Sequence, residues 1–412
     1  MTTAAGPRFV SRLFPARTEA ALRRYLSGQV ASVLGSWTQN VTLNLLVYHL
    51  SGSAAILALL NFLLYGPQLI VAPVAGSRIR SENAKRATLC VLMTSLALTA
   101  SLFTLSLLGV LSVPLILAHA LLIGISSAVE TPARQVLLLT SLEDATHTSN
   151  AVAMNTMVYN MGRMVGPTIA GFVYPMLGAR ASFVIYALAL CFMATCVRSI
   201  RTDAPMRPTR AESGLRDAVG YVMSDAFSGR YLPILACIGL FAGSYQTLVP
   251  LLADKGFHDA ARFTGVFFAC AGAGSLSAAV LLSSALGPRA SARFIAWAPW
   301  TAAAALAVLS MTSAAAASMP AFYALGFSLT FAATSTNATI QRSCPEHVRG
   351  GLVGMYGMAY NGTMPFGYLL VGTASEALGV RHTFGAMAFV LAAGVVAITV
   401  LSRIREQRTS AQ

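Results

Sequence analysis

Runs of predominantly apolar residues recur along the whole 412-residue chain. Each is close to the ~20 residues that a helix needs to cross a bilayer's hydrocarbon core. Hydrocarbon supplies no partner for a peptide N–H or C=O, so such runs must satisfy their backbone internally as helices. They lie at 24–50, 54–78, 86–110, 113–133, 152–176, 181–200, 230–252, 262–285, 290–311, 316–338, 351–376 and 381–402. Only 10% of the residues are Asp, Glu, Lys or Arg, against about 25% in soluble domains. The pattern predicts an all-α membrane protein with twelve transmembrane helices in two pseudo-symmetric six-helix bundles. The first run follows the arginine-rich MTTAAGPRFVSRLFPARTEAALRRYL. No short apolar core with a small-residue cleavage site precedes it, so an uncleaved anchor is expected.

The net charge of +14 raises the question of nucleic acid, and its distribution answers it. With both termini on one side of the membrane, 23 of the 28 Lys and Arg residues fall on that side. Four (Arg180, Lys255, Arg262 and Arg381) fall opposite, and Arg163 lies inside a run. This is the positive-inside asymmetry. It predicts cytoplasmic termini, a bacterial inner (cytoplasmic) membrane location and a lipid bilayer as the charge partner, with no nucleic acid. The six cysteines show no CxxC spacing, and small buried hydrophobes account for them. No metal is expected.

The longest polar connection, 202–228, divides the chain into an N-terminal bundle (1–201), a cytoplasmic linker and a C-terminal bundle (229–412). Within the linker, Leu215, Val219, Val222, Met223 and Phe227 recur at helical spacing, which predicts an amphipathic helix on the membrane surface. The two halves also match each other. MVYNMGRMVGPTIAGFVYPMLGARASF (157–183) aligns without gaps to MAYNGTMPFGYLLVGTASEALGVRHTF (358–384), at an offset of 201 and with nine of 27 positions identical. Six plus six helices in a parallel repeat is a transporter architecture, with alternating access around a central site. Asn160 has a counterpart in Asn361, but Arg163 aligns with Met364.

Polar residues in the runs mark where the chain does not face lipid. Ser32, Ser36, Asn40, Asn44 and Tyr48 recur every fourth residue on one helical face, and Asn61, Tyr65 and Gln68 share another. Such stripes line a cavity or bond a neighbouring helix. Ser36, Asn40, Asn44, Asn61, Tyr65, Gln68, Asn160, Arg163, Gln246 and Asn361 are the candidate substrate-cavity residues. An arginine at mid-helix is unfavourable by about 2.5–3.5 kcal/mol on insertion scales, so Arg163 requires a partner or a wet cavity. It either pairs with Glu130, locking two helices together, or serves as a gate element or substrate-facing cation. Glu130, Arg134, Arg163 and His119 are the gating and coupling candidates, because no carboxylate occupies the middle of any run. His119 is alternatively a hydrogen-bonded core residue. Gly162, Gly166 and Gly171 offer close helix packing beside Pro167. The inferred cavity is polar with one cation, which suits amphipathic, neutral or anionic organic molecules.

ETPARQ (130–135), followed by Asn160, Arg163, Gly166, Pro167 and Gly171, resembles the signature of major facilitator superfamily exporters, in the macrolide-efflux and enterobactin-type siderophore exporter group. IQRSCPEHVRGGLVGMYGMAYNG (340–362), VLGSW (33–37) and VYHLSGSA (47–54) are similar to further family blocks. The resemblance implies a secondary active exporter, an antiporter that moves a siderophore or related metabolite out of the cytoplasm. Multidrug efflux or lysophospholipid handling on the same fold are the alternatives. It also implies a monomer without cofactor, driven by the proton gradient. Two departures stand out. PVAGSRIRSENAKR (73–86) keeps Gly76, Lys85 and Arg86 but places Arg80 where the family has Asp, and Ser36 stands where the first helix often carries an acid. No HExxH, GxSxG, P-loop or GxGxxG occurs, so no enzyme is expected.

Overall fold

The computed structural model describes residues 19–142, 144, 147–200, 215–257, 259–283 and 287–410. Within its helices a few side chains, those of Asn160 and Arg163 among them, lie outside the described set. Every regular element among the described residues is helical. The first part of the chain forms α1 (Ala20–Ser51), α2 (Ala54–Tyr65), α3 (Gln68–Arg78), α4 (Ser81–Leu107), α5 (Val113–Thr140) and α6 (Thr148–Ser199). The second part forms α7 (Leu215–Ser224), α8 (Ala226–Cys237), α9 (Val249–Phe257), α10 (Ala260–Ser283), α11 (Gly287–Phe294), α12 (Ala298–Met311), α13 (Ala315–Ser343), α14 (Glu346–Tyr360), α15 (Met364–Leu378) and α16 (Val380–Ser410). Between α8 and α9 the backbone loosens to a π-helical turn (Ile238–Ala242) and then tightens to a 3-10 turn (Gly243–Thr247). Among the described residues, eight helical segments are long and apolar enough to cross a membrane, and α12 is a shorter apolar helix.

The turns between runs fall on glycines. Gly178 (φ 73°, ψ 179°) interrupts α6, so that α6 is two helical segments in series. Gly379 (φ 79°, ψ 158°) separates α15 from α16. Both adopt a conformation that is essentially closed to residues with a Cβ. They stand 201 residues apart, inside the two Leu-Gly-x-Arg segments of the repeat. The sequence identity between the halves therefore has a backbone cause. Each copy breaks its helix at this one residue.

By contacts the chain resolves into two compact units. Unit 1 comprises residues 1–43 and 67–208, and unit 2 comprises 44–66 and 209–412. The division departs from the expected 1–201, 202–228 and 229–412 boundaries at 44–66, because α2 packs on α15: the Gly372 face of α15 admits Ala54 and Ala58 of α2 with no Cβ between them.

Unit 1 has one apolar core, in which Tyr25, Leu92, Leu137, Leu190, Met193 and Val197 are buried together. Its helices approach through small residues. A Cβ on Gly162 would collide with Val33, and one on Gly166 would collide with Trp37 and reach within 3.1 Å of Leu34 O. The buried Thr38 hydroxyl donates to Gly166 O at 3.2 Å across the same crossing. The expected packing role of Gly162 and Gly166 is thus located against α1, with Pro167 buried beside them.

Unit 2 carries an aromatic cluster of Tyr245, Phe257, Phe263, Phe267 and Phe322. Its closest helix pair is α10 with α13. Gly274 and Gly326 let the backbones touch, and the Ser275 hydroxyl donates to Gly326 O at 3.0 Å. The amphipathic linker helix corresponds to α7, whose Ala218 is buried with Leu232, Ile340, Val348 and Leu352. The remainder of that expectation, 202–214, lies outside the described residues.

Substituting alanine at Gly178 or Gly379 is expected to destabilise the protein by about 1–3 kcal/mol at either position, since each forces a Cβ into a glycine-only conformation. Detergent-solubilised protein melted on a size-exclusion column checks this. Unchanged melting in both variants refutes the shared turn geometry.

Candidate functional site

Unit 1 buries a charge. Arg134 is 2% exposed, and its guanidinium faces three acceptors. Nη2 lies 2.6 Å from Glu130 Oε1 one turn earlier on α5. Nη1 donates to Gln29 Oε1 and Nη2 to Ser32 Oγ of α1, both at 2.8 Å. The Tyr25 hydroxyl donates to Arg134 O at 3.2 Å, closing the contact between α1 and α5. Arg134 Nε and Gln29 Nε2 are buried without a hydrogen-bond partner among the described residues. A lone charge in hydrocarbon surroundings costs several kcal/mol, so pair and hydrogen bonds must act together. Glu130 is therefore engaged by Arg134. Whether it also meets Arg163 concerns a side chain outside the described residues, as does the side-chain position of Asn160.

The polar stripe of α1 is divided among partners. Ser32 meets Arg134, and Ser36 and Asn40 are half-buried. Asn44 and Tyr48 belong to unit 2. There Asn61 Nδ2 donates to Asn44 Oδ1 at 2.8 Å and to Leu57 O at 3.0 Å, with Thr247 Oγ1 at 3.5 Å. The Tyr48 hydroxyl donates to Asp254 Oδ2 at 2.8 Å. Glu376 of α15 accepts from the Ser53 hydroxyl and from the Ala55 N–H at 3.0 Å. This carboxylate sits at the N-terminus of α2, where free N–H groups and the helix dipole favour an anion.

His119 uses both ring nitrogens. Nδ1 faces Leu115 O at 2.8 Å, which can only accept, so Nδ1 carries the proton. In the neutral ring Nε2 then accepts from Ser101 of α4, at 3.0 Å. Together with Ser95 and Ser126, 3.1 Å apart, it stitches α4 to α5.

Four of the other candidates share one property: each flanks a break in a helix. Tyr65 ends α2 and Gln68 begins α3, on either side of Gly66 and Pro67. Gln246 lies in the 3-10 turn after the π-helical stretch, and Asn361 caps α14 through its N–H to Gly357 O at 2.9 Å. Two of these breaks touch inside unit 2. Gly239 and Gly243 leave room for Tyr360, Thr363 and Met364, and Gly367 leaves room for Leu240 and Ser244. The Thr363 hydroxyl donates to Ala236 O at 3.2 Å. Gln246 is buried, whereas Asn361 is exposed. Irregular backbone in a membrane protein is tolerated where protein covers it or a wet cavity receives its polar groups, and in transporters it marks binding sites.

Some of these groups escaped the sequence reading. Gln29 lies three residues before Ser32, so extending the polar stripe of α1 one turn toward its N-terminus finds it. Nothing in the local sequence signals the π-helical turn at 238–242. Its cause is the seating of Gly239 and Gly243 on a segment 120 residues away.

Long apolar helices with buried polar networks and broken segments are the architecture of polytopic membrane transporters. Residues 11–412 match the model of the family described as transmembrane secretion effector, and the chain belongs to this family of major facilitator superfamily transporters, which are not enzymes. It is 25% identical to the staphyloferrin A transporter of Staphylococcus aureus (strain NCTC 8325 / PS 47) over 369 residues, covering 88% of this chain and 91% of that one. It is 31% identical to the multidrug efflux pump Tap of Mycolicibacterium fortuitum over 262 residues, covering 60% and 62%. Among solved structures, the fold resembles the nucleoside transporter NupG with a TM-score of 0.70 at 11% identity, covering 92% and 98%. It also resembles a bacterial homologue of the iron transporter ferroportin with a TM-score of 0.67 at 12% identity, covering 93% and 97%.

Replacing Arg134 by Met strands Glu130 in a mostly buried position and is expected to cost about 3–5 kcal/mol, as for other broken buried pairs. The double replacement of Glu130 by Leu and Arg134 by Met is expected to recover most of that loss. Melting curves of the single and double variants in detergent decide it. A double variant no more stable than the single one rejects the pair.

Proposed function

We propose that this chain is a secondary active exporter that moves an amphipathic small molecule, a siderophore or related metabolite, out of the cytoplasm by alternating access. The observation that carries the reading is the similarity to the staphyloferrin A transporter along 88% of the chain. The chemistry of the lining candidates agrees with it. Tyr65, Gln68, Gln246 and Asn361 offer neutral donors and acceptors at helix breaks, which fits a polar organic molecule better than a polycation. The similarity to a multidrug pump over 262 residues supports drug efflux as the second reading.

In this reading twelve spans cross a bacterial inner membrane, with both termini in the cytoplasm and the protein acting as a monomer. The four spans beyond the eight long apolar segments are α1, one further span gained by dividing α6 at Gly178, α12 extended by α11, and α14 continued by α15. Asp254 and Glu376 then lie at the external ends, and their bonds to Tyr48 and Ser53 hold that side closed when the inner side is open. The proton gradient supplies the energy. Glu130 is the coupling carboxylate, since protonating it discharges its pair with Arg134. His119, held at both nitrogens, has the weaker case.

Deleting the gene and profiling secreted metabolites in iron-poor and iron-rich medium tests the substrate class. Loss of one secreted chelator in iron-poor medium is the expected result. Unchanged secretion together with lowered tolerance to toxic compounds overturns it in favour of drug efflux. Dissipating the proton gradient with an uncoupler is expected to abolish export by the wild type.

A further inference from the structure

We infer that a cleft between α8, α12 and α16 is a binding site for an acidic phospholipid of the cytoplasmic leaflet. The cleft has a volume of about 270 Å³. Arg230 and Arg403 border one end of it, and Ile234, Val395 and Val396 form walls farther along. Ile234 is one helical turn from Arg230, and Val396 is seven residues, about 10 Å, from Arg403 along α16. Two cations at one end and branched aliphatic side chains a short way into the membrane reproduce the profile of a phospholipid, an anionic head on an apolar chain. Trp300 and Tyr231 also line the cleft, and their amphipathic rings suit the interfacial level between the two.

Among the described residues no acidic side chain lines the cleft, and neither Arg230 nor Arg403 forms an ion pair. Arg230 Nε is buried without a hydrogen-bond partner, and its guanidinium lies 5.6 Å from the centre of the Tyr231 ring. An arginine held in place with donors to spare is complementary to a phosphate. A neighbouring hollow of about 850 Å³ provides the contrast. Its charged groups are already spent: Asp225 accepts from Ser228 N at 2.7 Å, and Arg405 donates to Met223 O.

The inference rests on the orientation proposed above, in which this end of α8 and α16 is cytoplasmic, where anionic lipids concentrate and attract basic residues. It does not depend on the transported substrate. A bilayer lipid suits the cleft better than a soluble phosphate, because its apolar part would leave a soluble anion without a partner.

The test is lipid retention by the full-length protein purified in mild detergent, with bound lipid quantified by mass spectrometry after adding phosphatidylglycerol, phosphatidylcholine or glycerol phosphate. Phosphatidylglycerol is expected to be retained preferentially. R230Q/R403Q should lower its retention by roughly twenty-five-fold, since each basic residue near an anionic surface contributes about a factor of five. R230K/R403K should keep most of it. Equal retention by wild type and a normally melting R230Q/R403Q variant overturns the site, as does glycerol phosphate competing on equal terms with the lipid. Should the variant not fold, brominated lipids read the cleft with both arginines intact, through Trp300 in a W37F/W297F background. Stronger quenching by brominated phosphatidylglycerol than by brominated phosphatidylcholine supports the proposal, and equal quenching overturns it. Substrate export, assayed separately, can fail without touching either readout.

Discussion

Hydrocarbon forms no hydrogen bonds, and this one property of the solvent organises the whole chain. Each peptide group in a span must be satisfied by the span itself or by protein packed on it. The described residues accordingly form helices joined by short turns. Where the helices loosen, at 238–247 and 361–363, glycines bring another backbone against the irregular turn and cover it. The same requirement explains the small-residue crossings. Without water to drive apolar surfaces together, helices associate by close packing, and Gly166 against α1 and Gly274 against Gly326 provide it.

Against that background a buried charge is the costliest feature. The Arg134–Glu130 pair as a whole could have been replaced by apolar side chains at little energetic loss, because buried pairs seldom stabilise relative to hydrophobic packing. Removing one partner alone leaves an uncompensated buried charge, so Arg134, Glu130, Gln29 and Ser32 hold together as a unit. Glu376 and Asp254 belong to a different kind of contact. They meet hydroxyls and a helix N-terminus in place of cations, and such bonds can be broken and remade at modest cost.

The family assignment and the geometry inform each other at the helix breaks. Transport within the superfamily is shown by the match over residues 11–412. The particular chemistry of this chain lies in what is placed beside its irregular turns: amides, a phenol and few charges. Chains of about one-tenth sequence identity share this fold, as expected when function is carried by a site set on a common scaffold.

Much of this was legible in the sequence. The runs of apolar residues gave the helices, and the gaps between them at 177–180 and 377–380 gave the places where Gly178 and Gly379 turn the chain. The i+4 polar stripe gave the face of α1 that turns away from lipid. These features follow from local periodicity and from the length a bilayer imposes, so a single helix suffices to reveal them. The partners of that stripe were decided by tertiary structure alone. Ser32 meets an arginine from α5, Asn44 an amide from α2 and Tyr48 a carboxylate from α9. The membership of 44–66 in the second unit and the π-helical turn at 238–242 were decided there too. Each depends on contacts between residues far apart in the chain, and a helical pattern specifies which face is buried without specifying what it is buried against.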